Sequence, residues 1–227
     1  MIYQLDLIKI GQHKFIYGGN RSMKYVLSGF RTPKPGSLPE LINGAVDFYK
    51  GVDFAGMVTV TPTIPVVATH RPFEDAASVE ALDDAIVAGN LPIMDSVTKL
   101  DQLSATATRW VLREIIANIN PDNLPKEAPK YIGRVILNAK TGMGPELLDV
   151  VLSNHEKLDA PVGISAAVGS LSTIILTRPF AHLDDITKAT DVKEVLGGMK
   201  SKGVINWNHL CESIERRTSR IAFMRRP

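Results

Sequence analysis

The stretch from Lys130 to Phe180, KYIGRVILNAKTGMGPELLDVVLSNHEKLDAPVGISAAVGSLSTIILTRPF, repeats landmarks that also occur between Lys24 and Phe73. Three short matches recur in the same order and at nearly the same spacing: Lys24-Tyr25 with Lys130-Tyr131, Pro39–Ile42 with Pro145–Leu148, and Arg71-Pro72-Phe73 with Arg178-Pro179-Phe180. One such match arises readily by chance, but three at a constant shift indicate a tandem repeat. The repeat is the strongest predictor of the fold.

The repeat divides the 227-residue chain into four predicted parts. Residues 1–20 are predicted to form an N-terminal β-hairpin that has no counterpart in the second half. Residues 21–119 form the first α+β repeat, and residues 130–227 form the second. Between them lies a linker at 120–129, where three regularly spaced prolines prevent a continuous helix.

The apolar periodicity predicts the same order of elements in each repeat: strand, helix, strand, strand, helix, strand, helix. The first six elements follow the ferredoxin-like β-α-β-β-α-β order, in which both helices cover one face of an antiparallel sheet. The fourth strands are predicted at 91–94 and 204–207, and the final helices at 101–119 and 210–224. The predicted fold class is therefore α+β, a tandem duplication of a ferredoxin-like unit with a C-terminal helix in each copy. The two open sheet faces are expected to pack on each other.

Composition and charge exclude several classes of protein. The net charge of +2 provides no global field for nucleic acid or membrane, and the single cysteine, Cys211, excludes an intramolecular disulfide. Asp6 and Lys9 interrupt the apolar N-terminus, which therefore lacks the core of a signal peptide, and no apolar run is long enough to cross a bilayer. A cytoplasmic protein without a transmembrane segment is expected.

The chain shows no convergent set of catalytic residues. Ser96-x-x-Lys99 and Lys140-Thr141-Gly142 are similar to serine β-lactamase motifs, but their spacing and the position of Ser153-Asn154 do not fit that set. None of the five histidines has the spacing of a metal site with another histidine or with Cys211. No catalytic residue, metal or cofactor is predicted.

The C-terminus is the clearest local concentration of charge. Its arginines are suited to bidentate binding of phosphate or carboxylate. Between them lie apolar residues that would contact bases, a membrane interface, a neighbouring subunit or the protein's own core. A second basic feature precedes the first helix of each repeat, where backbone amides also favour anions. The predicted anion- or nucleic-acid-binding residues are Arg216, Arg217, Arg220, Arg225, Arg226, Arg31, Lys34 and Lys140.

The repeated Arg-Pro-Phe motif allows two interpretations. In the structural one, proline ends the strand, phenylalanine anchors the turn, and arginine covers the sheet edge. In the functional one, Arg71 and Arg178 flank a groove between the repeats and bind an anion there. His70 directly precedes the first motif and is a candidate for the same groove, whereas its counterpart in the second repeat is Thr177.

These features favour a non-catalytic, self-associating scaffold protein that contacts an anionic partner through its arginine-rich C-terminal helix. Such a protein would be a homo-oligomer with a shell, matrix or nucleoprotein-like role, and the order of elements resembles that of bacterial shell-forming domains. One alternative is an RNA-binding or RNA-processing protein with paired ferredoxin-like folds. A second alternative is a small-molecule enzyme with a pocket between the repeats and His70, Arg71 and Arg178 at its mouth.

Overall fold

The centre of the protein is an antiparallel barrel. The structure is a computed structural model that describes residues 23–90, 93–119, 124–157, 162–189 and 203–225. The strands in these ranges are β1 (Tyr25–Arg31), β2 (Gly56–Thr61), β3 (Val66–Phe73), β4 (Arg109–Ala117), β5 (Tyr131–Ala139), β6 (Gly163–Ala167), β7 (Ser170–Phe180) and β8 (Cys211–Arg225). Around the barrel they follow the order β1-β3-β2-β8-β5-β7-β6-β4, and β4 closes the ring on β1.

The helices pack against the outside of this barrel. Those in the described ranges are α1 (Leu38–Lys50), α2 (Ala76–Val87), α3 (Met94–Gln102), α4 (Gly144–Lys157) and α5 (Leu183–Ala189). Helix α1 buries Leu41, Ala45 and Tyr49 against Val58 and Val67 of the barrel wall. Helix α4 buries its own apolar face in the same manner against β5, β6 and β7. The apolar core therefore lies between the helices and the outer surface of the barrel.

The landmark residues occupy corresponding places in the two halves of the chain. The Lys24 amide donates to the Phe73 carbonyl at 2.9 Å, and the Lys130 amide donates to the Phe180 carbonyl at 2.9 Å. On the opposite side, the Ile115 amide of β4 donates to the Lys24 carbonyl. The Ile221 amide of β8 donates to the Lys130 carbonyl in the same way. Strands β4-β1-β3-β2 and β8-β5-β7-β6 thus have the same order.

The predicted fold class is nevertheless wrong, because two ferredoxin-like sheets do not pack face to face. Strand β2 pairs with β8, and β4 pairs with β6, so that both halves contribute to one closed barrel. An open sheet exposes unpaired N–H and C=O groups along its edge strands, and closure satisfies them. The inner faces of the strands consequently enclose a common lumen.

The predicted C-terminal helices are also wrong. The range 101–119 contains the end of α3 and all of strand β4, and the range 210–224 is almost entirely strand β8. Apolar positions in β4 happen to fit a helical spacing, but Val111, Ile115 and Ile116 are β-branched and suited to a pleated sheet. The residues at 204–207 form no strand, and Met94 begins α3. The predicted N-terminal hairpin lies outside the described residues, and the domain boundaries stay a prediction.

None of the helices in the described part of the chain is both long enough and apolar enough to cross a membrane.

The contact between α1 and β2 can be tested at Gly56. A Cβ atom at this position would overlap the ring of Tyr49, which is 3% exposed. We expect Gly56→Ala to lower the free energy of unfolding by about 1–3 kcal/mol, because a packed ring must be displaced. At Gly51, by contrast, the nearest atom to an added Cβ is the Asp47 carbonyl oxygen at 3.5 Å. Gly51→Ala should therefore change stability by less than about 0.5 kcal/mol; equal losses in urea titrations would contradict this packing.

Candidate functional site

The lumen of the barrel contains a group of buried polar side chains. Successive residues of a strand point to opposite faces, so Ser28 on β1 and His70 on β3, which are register partners, share the inner face. They are 0% and 4% exposed, respectively. A cavity of about 50 Å³ adjoins this group and is lined by His70, Arg113 and Arg134 among others. It has room for a few water molecules or one small chemical group.

Both ring nitrogens of His70 are engaged by hydroxyl groups. Nδ1 lies 2.8 Å from the Ser28 Oγ, and Nε2 lies 3.1 Å from the Thr59 Oγ1. The ring of Phe30 stands edge-on to the imidazole, with the ring centroids 6.2 Å apart. These contacts from β1 and β2 fix the orientation of the imidazole.

Two arginines approach the same imidazole from different strands. Arg113 on β4 donates from Nη2 to the Ser28 Oγ at 2.8 Å. Arg134 on β5 places Nη2 at 3.3 Å from the His70 Nε2, and its Nη1 donates to the Ser219 Oγ at 3.3 Å. The hydroxyl of Ser219 also contacts Thr61 at 2.8 Å. The site therefore joins side chains from both halves of the chain.

These contacts determine which nitrogen of His70 carries the proton. Arginine has only donors, so Nε2 must be the acceptor in the contact with Arg134. The hydroxyl of Thr59 can donate to the same lone pair. The proton of the neutral ring is then on Nδ1, which donates to the Ser28 Oγ. Nε2 is consequently the basic atom of this histidine.

The pKa of His70 lies well below its ordinary value of 6.5. Burial is the main cause, because the imidazolium would lose its hydration, and the positive charges of Arg134 and Arg113 lower the pKa further. At neutral pH the ring is therefore uncharged.

The two halves place different residues at corresponding positions of the lumen. Ser28 pairs with His70 in the first half, and Arg134 pairs with Thr177 in the second. Thr177 therefore takes the place of His70, and Arg134 takes the place of Ser28. The corresponding backbone hydrogen bonds also place Ser219 where the first half has Arg113. Only one of the two halves supplies an imidazole at these positions, so His70 is the one candidate proton acceptor among them.

The structure separates the residues of the predicted groove between the repeats. His70 faces the lumen, whereas Arg71 lies on the opposite face of β3, with its guanidinium 4.0 Å from the ring centroid of Phe54. Arg178 lies over the ring of Phe180 at 5.0 Å in the second half. Stacking on aromatic rings accounts for these positions, whereas the predicted strand termination is wrong, because Pro72 and Pro179 lie inside strands that continue to the following phenylalanine.

The predicted C-terminal anion site lies on a strand instead of a helix. Arg216, Arg217 and Arg220 are exposed along β8, and Arg217 is bonded to Glu215. Neighbouring residues of a strand point to opposite faces, which divides this arginine cluster. Arg225 ends β8 opposite Gly56, and Arg226 lies outside the described residues. Anion binding by these residues stays a prediction.

The basic residues ahead of α1 and α4 have different surroundings. Arg31 is 2% exposed and donates from Nε to Asp101 at 2.9 Å, with its guanidinium 5.4 Å from the ring centroid of Trp110. Lys34 and Lys140 are exposed in the loops before α1 and α4, as expected. Arg31 is thus a buried structural contact, while both lysines keep their predicted place.

Most of the residues in the lumen were not predicted from the sequence. Ser28 and Thr59 are single hydroxyls within apolar strands, and Arg113 was placed on a helix that is strand β4. The available signal was a charged residue inside an apolar, β-branched run, as at Arg113 in VLREII and Arg134 in GRVIL. Such a residue must find polar partners inside the fold. Within the described ranges, no three His, Cys, Asp or Glu residues form a metal-binding group.

Solved structures share this fold at very low sequence identity. A putative monooxygenase from Fusobacterium nucleatum subsp. nucleatum is 8% identical, with a TM-score of 0.65 over 89% of this chain and 94% of that one. A putative monooxygenase from Lactobacillus acidophilus is 10% identical, with a TM-score of 0.60 over 89% and 96%. An anthrone oxidase-like protein is 10% identical, with a TM-score of 0.59 over 89% and 92%. No protein-family model and no curated protein matches the sequence.

These likenesses contradict the predicted scaffold function. The proteins that share the barrel are named as oxygenases or oxidase-like proteins, and none of the three is named as a shell, matrix, nucleoprotein or RNA-binding protein. The likeness itself is one of fold, so the reaction must be argued from the lumen.

The lowered pKa of His70 has a measurable consequence for stability. Below pH 6.5 the unfolded chain gains a proton on this histidine while the folded protein does not, so the free energy of unfolding falls as the pH falls. This histidine contributes a slope of up to about 1.4 kcal/mol per pH unit. We expect His70→Asn to remove that component in urea titrations between pH 7.5 and 5.5. His209→Asn, at an exposed position, should retain the wild-type slope, and an unchanged slope in His70→Asn would contradict a buried neutral imidazole.

Proposed function

We propose that the protein is an enzyme that oxygenates a small organic molecule with an acidic C–H group in the lumen of the barrel. The observation that supports this most directly is His70, a buried and uncharged histidine among the residues that line the cavity. The names of the proteins that share the fold support the choice of an oxygenase. A buried group with a strongly shifted pKa beside a cavity is a recognised mark of a catalytic site.

The first step is removal of a proton from the substrate. The lone pair of His70 Nε2 accepts this proton once the bound substrate has displaced the Arg134 and Thr59 donors from it, while Nδ1–H stays bonded to the Ser28 Oγ. The negative charge left on the substrate forms beside the guanidinium of Arg134, 3.3 Å from the same nitrogen. Fixed positive charge at the place where negative charge develops lowers the barrier to such a transfer.

The carbanion is electron-rich, and dioxygen is the oxidant. Overall, a CH₂ group and O₂ give a carbonyl group and water: two C–H bonds break, one oxygen atom enters the product, and the other leaves as water. The four electrons lost by carbon are taken up by O₂. The apolar part of the cavity wall limits the access of bulk water to the anion.

The experiment measures O₂ uptake with small compounds whose CH₂ group lies between two carbonyls, with acetylacetone as the first probe. Wild-type protein should consume O₂ and form the tricarbonyl product. His70→Asn should lower kcat/KM by about 10²–10⁴, the usual contribution of a general base. His209→Asn should retain the wild-type rate. An equal loss of O₂ uptake in His70→Asn and His209→Asn would contradict the proposal. So would a folded wild-type protein that turns over no enolisable probe.

A further inference from the structure

Hydrogen-bond donors from four neighbouring strands line the cavity between the two arginines. Strands β7 and β6 lie between β5 and β4 in the barrel. Arg134 on β5, Thr177 on β7, Ser165 on β6 and Arg113 on β4 all line the same cavity. The order across the wall is thus guanidinium, hydroxyl, hydroxyl, guanidinium. Guanidinium forks and hydroxyl donors together match the planar geometry of a carboxylate.

The rest of the cavity wall has the opposite character. Ile115, Ile119 and Ile132 line it, together with other apolar side chains. Its lining includes Asn118, an exposed residue just after β4, so the cavity reaches the surface at this end of the barrel. A ligand with an ionised head and an apolar body matches both parts.

We infer that the substrate of this lumen carries a carboxylate, held by Arg113 and Arg134, and an apolar body that lies against Ile115, Ile119 and Ile132. This inference rests on the proposed function, because it assigns a substrate class to the same site. In this scheme Arg134 contacts the carboxylate in addition to His70 Nε2 and the Ser219 Oγ. The carboxylate therefore positions the acidic C–H group next to the base.

The size of the cavity agrees with this assignment. About 50 Å³ is enough for a carboxylate and one or two carbons, but not for a large ring system. The remainder of the substrate must extend towards Asn118 at the surface. Short-chain oxo acids satisfy these conditions, because they combine a carboxylate with an acidic C–H group.

Binding of butyrate and of its neutral isostere butyramide tests the inference without any turnover. Butyrate should stabilise the wild-type protein against heat and bind at least tenfold more tightly than butyramide, because only butyrate presents an oxyanion. Arg134→Gln should weaken butyrate binding at least tenfold, and Arg134→Lys, which keeps the charge, should recover part of it. Arg220→Gln changes an exposed arginine of β8 and should leave the affinity unchanged.

A second measurement separates ligand binding from loss of folding. Butyrate should raise the pKa of His70 in an NMR titration, because a negative charge in the cavity favours the imidazolium against the effect of Arg113 on β4 and Arg134 on β5. The size of this change should diminish in folded Arg134→Gln. A purely structural role of Arg134 would leave it as in the wild type.

The outcomes also distinguish this inference from the proposed function. If acetylacetone is turned over in a His70-dependent manner but butyrate and butyramide bind equally, the substrate class is wrong and the oxygenase stands. If butyrate binds as expected but no enolisable compound is turned over, the carboxylate site stands and the reaction is wrong. Butyrate binding that is lost in Arg220→Gln and kept in Arg134→Gln overturns the inference, because the anion then binds at the outer surface.

Discussion

Strand β8 holds the two halves of this protein together, and the lumen exists only because of its two sets of partners. Its first part pairs with β5, from Cys211 opposite Ala139 to Arg220 opposite Tyr131. Its last part pairs with β2, as far as Arg225 opposite Gly56. The second seam, between β4 and β6, is shorter, and both seams include a register shift. Without the pairing along β8, the inner faces of both halves would be open to solvent.

Closure of the barrel removes polar side chains that point inward from bulk water. Ser28, His70 and Arg113 would be hydrated on an open sheet, but in the closed barrel their hydrogen-bonding capacity must be met by neighbours. Arg134 and Thr59 supply contacts to the imidazole from two other strands. In a medium of low polarity these hydrogen bonds are strong, and a buried polar group without a hydrogen-bond partner lowers the stability of the fold. The same closure that lowers the pKa of His70 thus also fixes its orientation.

The sequence predicted local features better than pairing. The repeated landmarks and the helices α1, α2 and α4 follow from spacing that is visible in the chain. The apolar spacing predicts helices where strands β4 and β8 lie, because the partners of these strands in the barrel are distant in sequence and a local window of residues does not show them. The site residues could not be predicted together for the same reason, because they come from different halves of the chain. Arg134 and His70 are 64 residues apart and meet only across the lumen, and adjacent His70 and Arg71, taken together for one groove, point to opposite sides of β3.

The closure of the barrel along β8 is the central claim, and it can be tested by a cross-link between Thr61 and Ser219. Their hydroxyl oxygens are 2.8 Å apart although 158 residues separate them in the chain. In the Thr61→Cys, Ser219→Cys variant, mild oxidation of the folded protein should give a disulfide between these positions, detected as one linked peptide by mass spectrometry. Cys211, which is buried, should stay reduced. A folded variant in which the two introduced thiols remain free, or pair only between molecules, would contradict the closed barrel and the lumen that depends on it.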